Sequence, residues 1–296
     1  MDILIQQLVN ALSLGGTYAL LALGLAIVFS MMGLINFAHG ELMSLAGYGL
    51  WWAVAIAAYP FGLGVAAAVL IGLTAAIAME AVAFRPVRNA SGAALLLTSF
   101  AVSGILQVLF QILISPRPRP VPIPGFLAGA WNLGPLQIGA IQAISILATA
   151  LLLGALTLFF KRSNIGIAMR AAASDFDVAR LMGIRANAVI ASAFAISGLL
   201  AGFAAMFWVA QRGSVDPLMG FLPVLKAFIA VIVGGLGSLA GAVLGGFLLA
   251  FIEIGLRAFL PDSLIAYRDA LSLALVILIL VARPQGLLGR QAESVR

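Results

Sequence analysis

The stretch that decides the fold is Gly15–Tyr48, GGTYALLALGLAIVFSMMGLINFAHGELMSLAGY. No charged residue occurs from Ile3 to Ala38. At about 1.5 Å of helical rise per residue, that run is far longer than the roughly 20 residues one bilayer crossing needs. It must break, and Met31-Met32-Gly33 is the expected place: glycine weakens a helix, and the polar residues Asn36, His39 and Glu41 follow before apolar sequence resumes at Leu42. The stretch reads as a first span, a polar return and a second span. The ionisable pair His39 and Glu41 has two open readings. Charge in hydrocarbon is expensive unless compensated, which marks a site inside the membrane; a helix end beside a hydrated surface loop would carry the same residues.

Working outward, 64% of the 296 residues are hydrophobic and 9% charged, whereas soluble domains carry about 25% charge. The chain is therefore expected to be an all-α polytopic membrane protein, read as a single transmembrane domain over 1–296. Its 32 glycines suit close helix packing in lipid, where apolar burial gives no drive for association. The absence of cysteine excludes disulfides and thiolate metal sites, and a lone histidine excludes a histidine-rich one. No metal, cofactor or catalytic set is expected. The net charge of +6 does not point to nucleic acid, because the basic residues cluster at the ends of apolar runs, as topology determinants do. The opening Met1-Asp2-Ile3 lacks the basic region of a signal peptide and is expected to begin the first helix.

Apolar spans fall at about 3–30, 42–59, 62–83, 93–114, 138–160, 188–210, 222–234, 239–258 and 266–282. The seventh is short, and Gly234, Gly235 and Gly237 interrupt it, so eight or nine crossings with a broken or re-entrant segment are expected. In a nine-span count Arg85, Arg88, Lys161, Arg162, Arg170, Arg180, Arg185, Arg283, Arg290 and Arg296 share one face. That face is assigned to the cytoplasm, with the N-terminus outside and the C-terminus inside. Gly62, Gly64, Gly72 and Glu80 recur at the same spacing as Gly235, Gly237, Gly245 and Glu253, a hint of an inverted repeat. Glu80 and Glu253 are then pathway candidates with Asn36, His39, Glu41, Gly234, Gly235 and Gly237. The plainer alternative is that each glutamate pairs nearby, with Arg85 or Arg257.

Two polar segments remain. Ser115 to about Gln137 holds Pro116, Pro118, Pro120, Pro122 and Pro124, which exclude helix; it reads as an extended external loop, either a stiff connector or a surface where Arg117 and Arg119 meet an acidic partner. In 161–187, Ser174 and Asp177 give a helix start signal and Gly183 a stop, so Asp175–Met182 is expected as one short helix. Phe176, Val178, Leu181 and Met182, flanked by Arg170, Arg180 and Arg185, form an apolar knob suited to a partner's groove, or to lipid headgroups.

The strings GLAIVFSMMGLINFAHGELMSLAGY (Gly24–Tyr48), RPVRNASGAALLLTSFAVSGILQ (Arg85–Gln107), GIAMRAAASDFDVARLMGI (Gly166–Ile184) and GGLGSLAGAVLGGFLLAFIE (Gly234–Glu253), in this order, resemble the LivH-type permease subunits of branched-chain amino acid ABC importers. The resemblance implies import of leucine, isoleucine and valine across the bacterial inner membrane. It also implies a LivM-like second permease, two ATP-binding subunits and a periplasmic amino acid binding protein as partners. It makes 161–187 the coupling loop to the ATPase, with Arg170, Ser174, Asp175, Phe176, Asp177, Arg180, Leu181 and Gly183 as contacts. The signature E-A-A-x-x-x-G of such loops is absent as such: Arg170-Ala171-Ala172 stands near its place and the glycine comes later, at Gly183. Permeases for urea or short amides look similar.

The residues themselves support the same direction. No G-x-x-x-x-G-K-[ST] loop occurs, so uphill transport must draw energy from another subunit or from an ion gradient. The competing class is a secondary transporter using Glu80, Glu253, Lys226 or the His39/Glu41 cluster. Its need for carboxylates well inside the spans sits poorly with ionisable residues that mostly fall near predicted helix ends. A membrane-embedded enzyme would need a convergent catalytic set, which is missing.

Overall fold

The structure, a computed structural model, describes residues 2–133 and 136–289; Met1, Pro135, Arg290 and Arg296 of the sequence reading lie outside them. Among the described residues seven helical segments are long and apolar enough to cross a membrane. They are α1 (Asp2–Met32), α3 (Phe61–Met79, prolonged by a π turn Glu80–Phe84), α4 (Gly92–Leu113), α6 (Ala140–Arg162), α9 (Ala186–Arg212), α11 (Leu239–Phe259) and α12 (Arg268–Ala282, led in by a 3-10 turn Asp262–Tyr267). Two shorter apolar helices complete the nine segments: α2 (His39–Trp51, prolonged by a π turn Trp52–Ile56) and α10 (Phe221–Gly234).

The broken segments have a shared cause. α1 stops at Met32 because Gly33 takes a left-handed φ of 62°, and α9 stops at Arg212 because Gly213 takes 70°. After each stop a short irregular stretch turns back into the bundle, and α2 and α10 start there. A Cβ on Gly40 would strike the Gly220 carbonyl, and one on Gly220 would strike the Gly40 carbonyl. The starts of the two short helices thus touch backbone to backbone, inside the protein.

The remaining packing repeats this arrangement. α1 lies along α10 and α11, α9 lies along α2 and α3, and α1 and α9 pack on each other. Glycines thin the matching contacts: a Cβ on Gly246 would come 2.6 Å from the Ala19 nitrogen, and one on Gly72 2.6 Å from the Gly198 oxygen. Gly33 with Gly213 and Gly40 with Gly220 are each 180 residues apart. Five apolar segments separate the start of α1 from the start of α9, so the two halves run in opposite senses. The packing therefore has the form of an inverted repeat, but not in the register that glycine spacing suggested. Gly62 and Gly64 sit in the first turn of α3, whereas Gly235 and Gly237 form the turn ahead of α11. Glu80 follows α3, while Glu253 lies inside α11, so the two glutamates are not equivalent.

The connections sort to two ends. At one end the α1 residue Gln6 donates from Nε2 to the Gln137 carbonyl at 2.9 Å, and β1 (Arg119–Pro120) pairs antiparallel with β4 (Ser214–Val215). The proline-rich segment, expected to be extended throughout, also forms a single turn α5 (Gly125–Ala128) and a hairpin of β2 (Ala130–Leu133) with β3 (Leu136–Gly139). At the other end Arg88 donates to the Asn187 side chain, and Leu287 and Leu288 donate backbone hydrogen bonds to Val233 and Gly234 at 2.7 and 2.9 Å. Positive residues 85–88, 161–185 and 283 gather at this second end. α1 is the axis: 83% of its apolar window is buried, against 11% for the last span. The outer faces of α4, α6 and α12 expose leucine, isoleucine and valine side chains, as a lipid-facing surface does.

Gly220→Val is expected to cost about 3 kcal/mol or more, because the obstructing atom is a backbone carbonyl that cannot rotate away. Gly154→Ala, where a Cβ meets nothing within 4 Å, is expected to be neutral or stabilising by up to about 1 kcal/mol. Thermal melting of the detergent-purified variants, followed by size exclusion, checks both.

Candidate functional site

Asn36, His39 and Glu41 are all buried, at 1% exposure or less, which removes the surface-loop reading. His39 opens α2, and its Nδ1 lies 3.0 Å from the Ser197 hydroxyl of α9. Gly24 of α1 makes room for the ring: a Cβ there would come 2.8 Å from His39 Cε1. Glu41 accepts at Oε1 from the Ser103 hydroxyl at 3.0 Å and from Gln107 Nε2 at 2.8 Å, both on α4. Asn36 directs Nδ2 at the Met79 sulfur, 3.8 Å away. Asn36 Oδ1, His39 Nε2 and Glu41 Oε2 have no protein partner among the described residues. The cluster ties α2 to α4 and α9 through neutral donors only.

The two other carboxylates are paired. Glu80 takes Arg85 as expected, at 2.6 Å. Glu253 does not take Arg257. Its two oxygens each lie 2.8 Å from Lys226 Nζ on α10, and Tyr18 of α1 donates to Oε2 at 2.9 Å. Asp269 at the start of α12 stands 3.4 Å from the same ammonium. Glu41 lies in the first turn of α2 and Glu80 at the end of α3, near helix ends as expected, whereas Glu253 lies inside α11; all three are buried. Pairing or hydrogen bonding from neighbouring helices offsets the cost, which one helix's sequence does not display.

Two cavities lie at opposite ends of α1. The larger, about 1010 Å³, is bounded by Asn10, Leu14 and Tyr18 of α1, by Trp208 and Arg212 of α9, and by Met219, Lys226, Glu253 and Asp269. The smaller, about 600 Å³, is bounded by Ile27, Ser30 and Met31, by Arg170 and Ser174, and by Gly237, Ser238 and Leu288. Between Tyr18 and Ile27 α1 is packed shut, with Ala19 to Ala22 and Ala26 fully buried; nine residues of helix make this plug about 13 Å thick. Of the three glycines proposed for a pathway, Gly237 borders the smaller cavity. Gly234 and Gly235 instead serve the α10–α11 turn, where Gly235 takes φ 107° against Gly289.

The polar segment beside the smaller cavity holds two helices rather than one: α7 (Asn164–Ser174) and α8 (Phe176–Leu181). Ser174 does not cap the second. It donates to the Arg170 carbonyl at 3.3 Å and closes α7, while Asp175 Oδ1 accepts from the Asp177 and Val178 amides at 3.0 and 2.9 Å. Gly183, at φ 85°, ends the unit as expected. Phe176 is half-buried and Ala179 buried, so the segment is anchored; Leu181 and Met182 stand 87% and 80% exposed between Arg170, Arg180 and Arg185. α7 packs on α1, α6 and α9.

Sequence reasoning missed Tyr18, Ser103, Gln107 and Ser197. Ser99, Ser103 and Gln107 form a legible polar stripe at four-residue spacing on α4. Tyr18 and Ser197 have no such signal, because their partners lie 235 and 158 residues away.

Two cavities of mixed polar and apolar lining, at opposite ends of α1 within a bundle of membrane-length helices, define the class as a multi-pass membrane protein. The profile of the family described as "Branched-chain amino acid transport system / permease component" matches residues 7–280. The chain is 37% identical to the high-affinity branched-chain amino acid transport system permease protein BraD of Pseudomonas aeruginosa, over 98% of each chain. It is 35% identical to LivH of Escherichia coli K12, over 98% of this chain and 97% of the relative. It is 28% identical to LivM of the same organism, over 92% of this chain and 67% of the relative. No solved structure matches the chain. The chain belongs to the family of branched-chain amino acid transport system permease components.

Ser197→Ala removes the hydroxyl 3.0 Å from the buried His39 Nδ1 and is expected to cost about 1–3 kcal/mol. Ser192→Ala, on the exposed side of the same helix, is expected to change stability by less than about 0.5 kcal/mol. The difference in melting temperature between the two variants checks the role of the cluster.

Proposed function

We propose that this chain is a permease subunit of an ATP-driven importer of leucine, isoleucine and valine in a bacterial inner membrane. The observation that carries the reading is the near full-length match to BraD and LivH, whose names state high-affinity branched-chain amino acid transport. The weaker match to LivM supports a second, related permease as partner. Two ATP-binding subunits and a periplasmic binding protein complete the proposed assembly.

In this reading the larger cavity faces the periplasm and receives substrate, and the α7–α8 end faces the cytoplasm. The positive-inside rule supports that orientation, since Arg85, Arg88, Lys161, Arg162, Arg170, Arg180, Arg185 and Arg283 gather at the α7–α8 end. Arg170, Ser174, Asp175, Phe176, Asp177, Arg180, Leu181 and Gly183 make the coupling element. Leu181 and Met182 insert into a groove of the ATPase, and Arg180 pairs at the rim. Closure of the ATPases pushes on α8, and α7 passes the displacement to α1 and α9, which open the plug. The helices Asn36, His39 and Glu41 join must move together, which makes the cluster a rigid element of the switch.

Arg180→Glu combined with Leu181→Asp is expected to leave the protein in the membrane but to cut substrate-stimulated ATP hydrolysis by about tenfold or more. Full stimulation in the purified variant complex overturns the coupling assignment. Leucine uptake by the chain alone, in liposomes with an ion gradient and no ATPase, overturns the class.

A further inference from the structure

The larger cavity is bordered by an ion pair that joins α10 to α11. Lys226 Nζ sits 2.8 Å from each oxygen of Glu253, and the two side chains are 21% and 11% exposed, towards the cavity. An ion pair largely buried among helices contributes little net stability, because desolvation offsets most of the attraction. It is well suited to exchange. A zwitterion brings one carboxylate and one ammonium, so it replaces each half of the pair by a group of the same sign and leaves the local charge balance unchanged.

The surroundings fit such a ligand at both ends. Trp208 is one of the cavity's lining residues, its ring stacked under Arg212 at 3.9 Å, and its buried Nε1 has no partner among the described residues. Asp269, 3.4 Å from Lys226 and on the same cavity, is a second carboxylate available to an ammonium. Leu14, Met219 and Leu222 line the same space and offer an apolar wall to an aliphatic side chain. Resting on the reading of this chain as an amino acid permease, we propose that the cavity is a substrate site in which an amino acid zwitterion opens the Lys226–Glu253 pair, its α-carboxylate taking Lys226 and its α-ammonium taking Glu253.

The site also touches the plug. Tyr18 donates to Glu253 at 2.9 Å and is the last residue of α1 before the closed stretch. Lys226, Glu253 and Tyr18 belong to α10, α11 and α1, so occupation by substrate changes contacts on the three helices that pack together around the closed path. Arg212, Arg257 and Arg268 also line the cavity, and Asp269 also meets Lys226, so the pair lies in a field of mixed charge that suits a ligand carrying both signs.

The chain has two lysines, Lys161 and Lys226, which permits a test without any variant. The complete importer complex in nanodiscs, without binding protein, is treated with an amine-acylating reagent and the two lysine peptides are quantified by mass spectrometry. Leucine at ten times its dissociation constant is expected to slow labelling of Lys226 relative to Lys161 by about tenfold, by mass action. Leucinamide, which consumes reagent equally but has no carboxylate, is expected to protect little. In parallel, Glu253→Gln and Lys226→Met, checked for melting temperature, are each expected to raise the KM for leucine uptake about tenfold or more. Equal protection by leucine and leucinamide, or wild-type KM in both folded variants, overturns the proposal while leaving the importer reading intact. A complex that imports no branched-chain amino acid overturns both.

Discussion

The close passage of Gly40 and Gly220 is the constraint on which the rest of the structure depends. In hydrocarbon every backbone amide and carbonyl must find a partner inside the protein, so an interrupted helix is tolerated only where other helices enclose the break. Here two breaks, after Gly33 and after Gly213, are enclosed together. Each short helix begins against the other, and the long helices α1 and α9 cover the irregular stretches. Any side chain at the crossing would hold α2 and α10 apart and expose both sets of unpaired backbone groups. The small residues along α1, α3, α9 and α11 extend the same economy, since close backbone approach is the main source of packing energy in lipid.

Polar side chains inside this framework divide by what neutralises them. The Glu41 carboxyl is held by a hydroxyl and an amide, with no cation in its hydrogen-bonding shell. Glu80 is held by a guanidinium that is itself half in water, with the Arg85 side chain 42% exposed. Glu253 is held by an ammonium and a phenol, beside open space, and Asp269 meets the same ammonium. The first arrangement is rigid and closed, the second anchors a helix end, and only the third combines charge with access. That contrast is why three buried carboxylates in one small bundle need not share a task.

α1 spans the distance between the two ends. Its first half borders the larger cavity, its middle is the plug, and its last turns border the smaller cavity beside α7. A helix buried over most of its length is held by its neighbours, and α7 packs directly on α1, α6 and α9. Beside it, Leu181 and Met182 form an exposed apolar tip on a segment anchored by Phe176 and Ala179.

The sequence by itself determined the class of structure, because composition and the length of apolar runs answer to the bilayer alone. The break after Met32, the stop at Gly183, the turn at Gly235 and Gly237, and the Glu80–Arg85 pair were all legible, since each depends on residues close in the chain. Tertiary structure decided what depends on distant partners. It moved the cap of α8 from Ser174 to Asp175, replaced Arg257 by Lys226 as the partner of Glu253, and shifted the repeat away from the glycine spacing that suggested it. It also buried His39 and Glu41, whose neighbours alone fit a surface loop equally well. Helix ends and spans are local consequences of backbone chemistry, whereas the partner of a buried charge is chosen by which helices the fold brings side by side.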